Sequence, residues 1–430
     1  MSIQYGSRFI RYVNNNINRN IGRLFLGSSI AQIVAIAISP VLTRLYMPAD
    51  LGLLAALMSA TTILAPIITL KFEMALTLTT SREEAGAIAA MAAATVIVMS
   101  VGSALVAVCI PPGWSTSLGP LAAYWWAVSV SLFNNGLYTI AVYEATRVGS
   151  YDEIAKSRVT QAVAGAVATI TMGMLGMHGD GVLFGFLFGS ALGTILLTRS
   201  LLWGGQSSLG GITFVGMRAV AVKFRNFAQY SSWSEIVDLA GGQLVNVIVL
   251  SAIFGPEIGG YIFLADRVIG RPLLLFSTSI LQVYVGEIGS LFNTNRPAIL
   301  WRFLKASGIQ MAVSAAWLLT IVLLAPVIVV PLFGKEWLGT VAYLQVMAVG
   351  YFPASVVHSV THTLTIIGRQ RVYAVLSVMR VVVLLAVYAY CVKSGLSPIK
   401  AVVMVTAAQG GGDLLRYGVT LHYLLHLRRR

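Results

Sequence analysis

Asp266, Arg267 and Arg271 stand near the middle of GGYIFLADRVIGRPLLLFSTSILQVYV, an otherwise apolar run from Gly259 to Val285. At about 1.5 Å per residue the run is long enough to cross a hydrocarbon core about 30 Å thick. A charge at that depth costs roughly 2.5 kcal/mol or more, so these side chains require partners or a polar space. Arg267 and Arg271 are four apart and share one face of a regular helix, beside Pro272, which lacks a backbone N–H. That face is expected to line a polar cavity. A guanidinium is always charged and presents paired donors that match carboxylate or phosphate oxygens. Two readings stay open: binding of an anionic ligand, or an internal ion pair with Asp266 or Asp238.

Other charged residues fall in apolar runs. Arg380, followed by the apolar Val381 to Leu385, is a third candidate for the cavity, with snorkelling to the membrane edge as the alternative. Glu235 and Asp238 are three apart on one helix face. They could carry a coupling proton or cation, because burial and a like charge both raise a carboxyl pKa; a salt bridge within the lobe is the alternative. Asp413 and Arg416 are expected to pair within their helix, beside the Gly410-Gly411-Gly412 packing notch. Lys71 with Glu73, and Glu144 with Arg147, mark places where spans meet the cytoplasm and suit an interfacial network. His358 and His362 have metal-ligand spacing, but no glutamate of an HExxH pattern lies between them, so a packed or cavity-lining pair is expected and no metal. Tyr124, Trp125 and Trp126 read as an interfacial belt.

The elements that position these residues follow from composition. The 430 residues are 57% hydrophobic and only 10% charged, with mean hydropathy +0.82, which describes an all-α polytopic membrane protein. The net charge of +14 reflects basic cytoplasmic loops rather than a nucleic-acid partner. Cys109 and Cys391 lie in different halves and indicate neither a disulfide framework nor a metal site. Apolar runs predict about twelve spans, at 22–44, 51–70, 86–110, 119–143, 157–177, 181–203, 231–254, 259–285, 307–333, 339–365, 373–393 and 398–424.

Counted by alternate loops, twenty-one Lys and Arg fall on the side of the termini and four on the other. Both termini are therefore expected in the cytoplasm. Residues 1–21 form a basic arm in which Ile3, Ile10 and Ile17 suggest a helix lying on the membrane surface. The polar stretch 204–230 divides the spans into an N-lobe, 22–203, and a C-lobe, 231–424, before a basic tail, 425–430. The halves echo each other: Tyr46-Met47-Pro48-Ala49-Asp50-Leu51-Gly52 matches Phe254-Gly255-Pro256-Glu257-Ile258-Gly259-Gly260 in its aromatic, Pro, acid and Gly. Two six-helix lobes repeated in one orientation form a transporter architecture with the site between them.

The run LTRLYMPADLGLLAALMSATTILAPIITLKFEMALTL resembles the opening hairpin of Wzx-type lipid-linked oligosaccharide flippases, in the multidrug/oligosaccharidyl-lipid/polysaccharide exporter superfamily. GGYIFLADRVIGRPLLLFSTSILQVYV, PLFGKEW and TIIGRQRVYAVLSVMR continue the resemblance in order. It implies two pseudo-symmetric lobes around a central cavity, alternating access, and an undecaprenyl-pyrophosphate-linked oligosaccharide as cargo in a bacterial inner membrane. It also implies surface polysaccharide biosynthesis, O-antigen or exopolysaccharide, with a polymerase and a chain-length regulator as possible partners. Under it, Arg267, Arg271 and Arg380 become candidates for the pyrophosphate, and Lys71 and Glu73 fall on the family's first-hairpin signature. Arg271 before Pro272 departs from the general family pattern.

A drug exporter of the same superfamily is a rival reading, disfavoured because a cationic cavity repels cationic cargo. A membrane-embedded polymerase or ligase is another, but every outer loop is short. No P-loop or Rossmann pattern is present, so no nucleotide cofactor is expected, and the energy must come from an ion gradient, the membrane potential or consumption of cargo.

Overall fold

The structure, a computed structural model, describes residues 27–79, 81–109, 119–203, 214–225, 235–236, 239 and 241–428. The N-terminal arm with its three isoleucines, and Asp238, lie outside them. The described chain is helical, with no strand among the described residues. Helices α1 (Gly27–Leu45), α2 (Pro48–Ile68), α3 (Arg82–Cys109), α4 (Trp125–Arg147), α5 (Tyr151–Met174), α6 (His178–Trp203) and α7 (Phe214–Lys223) come first. They are followed by α8 (Gln243–Phe254), α9 (Pro256–Ala265), α10 (Arg271–Thr294), α11 (Ala298–Phe333), α12 (Thr340–Ser359), α13 (Gln370–Lys393) and α14 (Pro398–Arg428).

Each expected span thus contains helix, and eight segments among the described residues are long and apolar enough to cross a membrane by length and composition. Large apolar side chains such as Val98, Leu323, Val327 and Val349 stand open on these helices. Such surfaces suit lipid, where a helix satisfies its own backbone polar groups. The stretch expected as a linker contains α7, which packs on α3 and pairs Lys223 with Glu84 at 2.5 Å.

The chain forms two compact units. The first comprises Met1–Leu42, Leu64–Pro111 and Ala123–Trp233. In it α3 packs on α4, α4 on α6, and α5 on α6. The α5–α6 pair is built from small residues four apart: Gly185, Gly189 and Gly193 on one helix face Thr169, Gly165, Gln161 and Ser157 on the other. A Cβ added at Gly189 would lie 2.7 Å from the Gln161 carbonyl oxygen, and one at Gly193 2.9 Å from that of Ser157. Backbones this close associate by van der Waals packing, which is what holds helices together where lipid removes the hydrophobic drive. Ala141, Ala145, Ile154, Leu197 and Leu201 complete a core beside it.

The second unit comprises Thr43–Ile63, Pro112–Ala122 and Ser234–Arg430. The start of α2 belongs here because its Pro-x-x-x-Gly turn packs on the matching turn of α9. A Cβ at Gly52 would meet the Pro256 carbonyl, and one at Gly260 the Pro48 carbonyl, so the two contacts are reciprocal. Trp337, fully buried, donates its indole N–H to the Thr43 carbonyl at 2.9 Å, and Arg44 Nη2 donates to the Pro331 carbonyl at 3.0 Å. The Phe333–Trp337 turn is thereby fastened to the end of α1. Gly334 makes that turn possible with φ +99°, a backbone region that favours glycine.

Helix α12 lies at the centre of the second unit, packed on α9, α10, α11 and α14. Several of the polar groups buried along it are answered, while Thr340 Oγ1 and His358 Nε2 are buried without a hydrogen-bond partner. Gln310 Nε2 donates to Ser314 Oγ at 3.0 Å, Ser314 and Ser355 hydroxyls share a hydrogen bond of 2.8 Å, and Ser277 donates to the Ser355 carbonyl at 3.1 Å. Asn246 of α8 and Gln409 of α14 exchange hydrogen bonds of 2.9 and 3.1 Å, and Tyr388 of α13 donates to Asn246. These bonds tie neighbouring helices to one another at buried positions.

Candidate functional site

The helix that carries the intramembrane arginines is not regular. At Asp266 α9 gives way to a π-turn through Gly270, where the Arg271 N–H donates to the Asp266 carbonyl five residues back. Pro272 supplies the cause, because its ring lacks an N–H and would clash with the carbonyl four residues earlier in an α-helix. In the five-residue register Asp266 and Arg271 become neighbours, and Arg271 Nε lies 3.4 Å from Asp266 Oδ2. Tyr351 of α12 donates its hydroxyl to Asp266 Oδ1. Gly270 allows that approach, since a Cβ there would stand 2.8 Å from the Tyr351 ring.

Four-residue spacing puts Arg267 and Arg271 on one face, and the π-turn separates them. Arg271 lines a cavity of about 290 Å³ within the second unit, and Arg267 is not among its lining residues. The Arg267 guanidinium stands 5.8 Å from the centre of the Phe263 ring, a cation–π contact, and pairs with no carboxylate among the described residues.

The cavity is walled by the π-turn and α10, α12, α13, α14 and the segment before α8. Three arginines, Arg271, Arg380 and Arg416, and two carboxylates, Asp266 and Asp413, reach it. Arg380 and Asp413 form a forked pair, with Nη1–Oδ1 at 3.0 Å and Nη2–Oδ2 at 3.4 Å, and side chains only 14% and 3% exposed. The pairing expected within α14, Asp413 with Arg416, is replaced by this pair between helices. Arg416 turns instead to Ser377, donating from Nη2 at 3.1 Å, and stands 4.9 Å over the Tyr373 ring.

Helix α12 ends at Ser359, so His358 and His362 do not share the face that their spacing implies. His358 lines the cavity, and His362 caps the next short turn, Thr363–Ile366. Among the described residues no cluster of three or more His, Cys, Asp or Glu could hold a metal ion.

The remaining candidates lie apart in the chain. Glu235 belongs to the second unit and is half-buried. Lys71 and Glu73 belong to the first unit, where Leu70 and Lys71 adopt left-handed backbone angles, φ 50° and 59°. This bend turns the chain into the short helix Phe72–Leu78 between α3 and α4, burying Glu73 to 1% exposure, 4.0 Å from Lys71. Glu144 and Arg147 form a forked pair of 2.9 and 2.6 Å in the same unit.

Apolar spans and a cavity lined by charges describe a multi-pass helical membrane protein. Residues 41–342 match the family described as polysaccharide biosynthesis protein, and the chain belongs to that family. Among solved structures its fold is similar to a lipid II flippase MurJ in an inward closed conformation, at 12% identity and TM-score 0.75, over 94% of this chain and 89% of that one. It is also similar to an inward-facing multidrug resistance MATE family transporter of the MOP superfamily, at 13% identity and TM-score 0.64, over 94% and 95% of the two chains. A third is a MOP superfamily transporter from Pyrococcus furiosus, at 15% identity and TM-score 0.61, over 95% and 96%. At such identities the likeness concerns the fold. No curated protein matches the chain significantly in sequence.

Proposed function

We propose that the protein flips an undecaprenyl-pyrophosphate-linked oligosaccharide from the cytoplasmic to the outer leaflet of a bacterial inner membrane by alternating access, for O-antigen or exopolysaccharide assembly. The observation that carries this reading is the charge of the cavity, three arginines against two carboxylates inside a membrane-spanning unit. Intramembrane charges that face a cavity mark a substrate pathway, and a guanidinium suits phosphate oxygens. Membership in a polysaccharide biosynthesis family is in keeping with a saccharide-bearing cargo. Small-molecule sites run from about 300 to 1,000 Å³, so a cavity of about 290 Å³ suits the charged head group and leaves sugar and lipid tail outside it.

Arg271 is the contact to the pyrophosphate that this reading leans on most, with Lys71 and Glu73 of the first hairpin, Arg267 and the coupling carboxylates Glu235 and Asp238 as further participants. Both termini lie in the cytoplasm, and a polymerase and a chain-length regulator take over the cargo outside. A cationic drug is the less fitting cargo, because the net charge of the cavity opposes it.

The reading is tested by deleting the gene in its host and extracting the lipid fraction. Lipid-linked repeat units should accumulate on the cytoplasmic side while surface polymer disappears, and the wild-type gene should reverse both. A deletion strain with normal surface polymer and no accumulated lipid-linked sugar would refute it.

A further inference from the structure

Three arginines reach the cavity, and they differ in what they have left to offer a ligand. Arg380 turns both terminal nitrogens toward Asp413. Arg271 spends only Nε on Asp266, and its two terminal nitrogens make no hydrogen bond among the described residues. Arg416 spends Nη2 on Ser377 and rests on the Tyr373 ring, which leaves Nε and Nη1 without a partner among the described residues. His358, on the α12 wall of the same cavity, has a buried Nε2 with no hydrogen-bond partner. A buried polar atom without a partner is costly, and a ligand that completes it recovers that cost.

We infer that Arg271, Arg416 and His358 together form the anion seat, and that the Arg380–Asp413 pair is a brace that shapes it. This rests on the reading of the cavity as a pyrophosphate site, and adds to it a residue, Arg416, that its sequence context alone assigns to a neighbouring carboxylate. The seat draws on three different elements, α10, α12 and α14, so a bound diphosphate ties them together. The brace keeps Asp413 occupied, which stops that carboxylate from competing with the phosphate for Arg416 three residues away. Ser377 and Tyr373, both on α13, hold the Arg416 guanidinium in place and leave its unused edge for a paired contact.

The test is calorimetric titration of inorganic pyrophosphate into the full chain in lipid nanodiscs, with the melting midpoint followed in parallel. Hydrogen bonds to charged groups are worth about 1.5–3 kcal/mol, so Arg416→Gln should weaken binding at least about tenfold with an unchanged midpoint. Arg416→Lys should recover part of the loss, and His358→Ala should weaken binding by a smaller factor. The double variant Arg380→Gln/Asp413→Asn should stay within about threefold of wild type, since it removes a pair rather than a ligand contact. Wild-type affinity in Arg416→Gln, or a loss there that comes with a lowered midpoint and no recovery in Arg416→Lys, would overturn the assignment while leaving the flippase reading standing. Failure of the wild-type protein to bind pyrophosphate would remove both the seat and the reading of the cavity on which it rests.

Discussion

Arg380 and Asp413 are nearly closed off from their surroundings and answer each other through two contacts. Removing one partner strands a buried charge, at a cost of about 3–5 kcal/mol, whereas replacing both by apolar side chains of similar volume is close to neutral. Arg380→Met and Asp413→Leu alone should each lower the melting midpoint in detergent sharply, and the double variant should recover most of the loss. Equal losses in the double and single variants would show that the pair does not act as a unit. The presence of intramembrane charge was legible from residue types, because a charge inside an apolar run has few bland explanations. Asp266 was legible as a partner for Arg271, but the partner of Asp413 was not. Asp413 and Arg416 have ideal spacing for a pair within a helix, yet Arg380 on the neighbouring helix offers Asp413 a fork, which a single contact along one helix does not match.

Helical spacing carried the reading of elements and also misled it where a helix ends, between His358 and His362, and where one is irregular. The assumption of 3.6 residues per turn put Arg267 beside Arg271, and the π-turn put Asp266 there. Pro272 was the visible signal of a disturbed register. A second signal, the run of glycines at 181, 185, 189 and 193, was open to the same reading, because small residues every four positions let transmembrane helices meet backbone to backbone. Gly189→Leu should disrupt the α5–α6 pair and lower stability by about 1–3 kcal/mol or more through overpacking, seen as a reduced melting midpoint and poor membrane yield. Gly286, whose Cβ direction is open space within α10, is the matched control. Gly286→Ala should raise the midpoint slightly, in keeping with a gain of about 0.4–1 kcal/mol from a less flexible unfolded chain. Similar behaviour of the two variants would mean that close packing does not hold α5 on α6.

Across the whole molecule, the repeat read from Pro48–Gly52 and Pro256–Gly260 corresponds to a physical contact, each glycine making room for the carbonyl of the other's proline. Spacing alone revealed that the two turns are alike; that they pack on each other depends on a tertiary arrangement that no local pattern encodes. The basic loops predict orientation independently of packing, so reporter fusions after Gly205 and after Arg430 should both read cytoplasmic. A periplasmic signal at either would break the two-lobe topology. The central claim, that this protein carries a lipid-linked pyrophosphate across the bilayer on the arginines of its cavity, is tested most directly by reconstitution. Purified protein in vesicles loaded with undecaprenyl-pyrophosphate oligosaccharide should speed its transfer between leaflets, and Arg271→Ala should slow that transfer at least about tenfold, the loss of one charge-assisted contact. Wild-type vesicles no faster than protein-free ones, or Arg271→Ala as fast as wild type, would contradict the account.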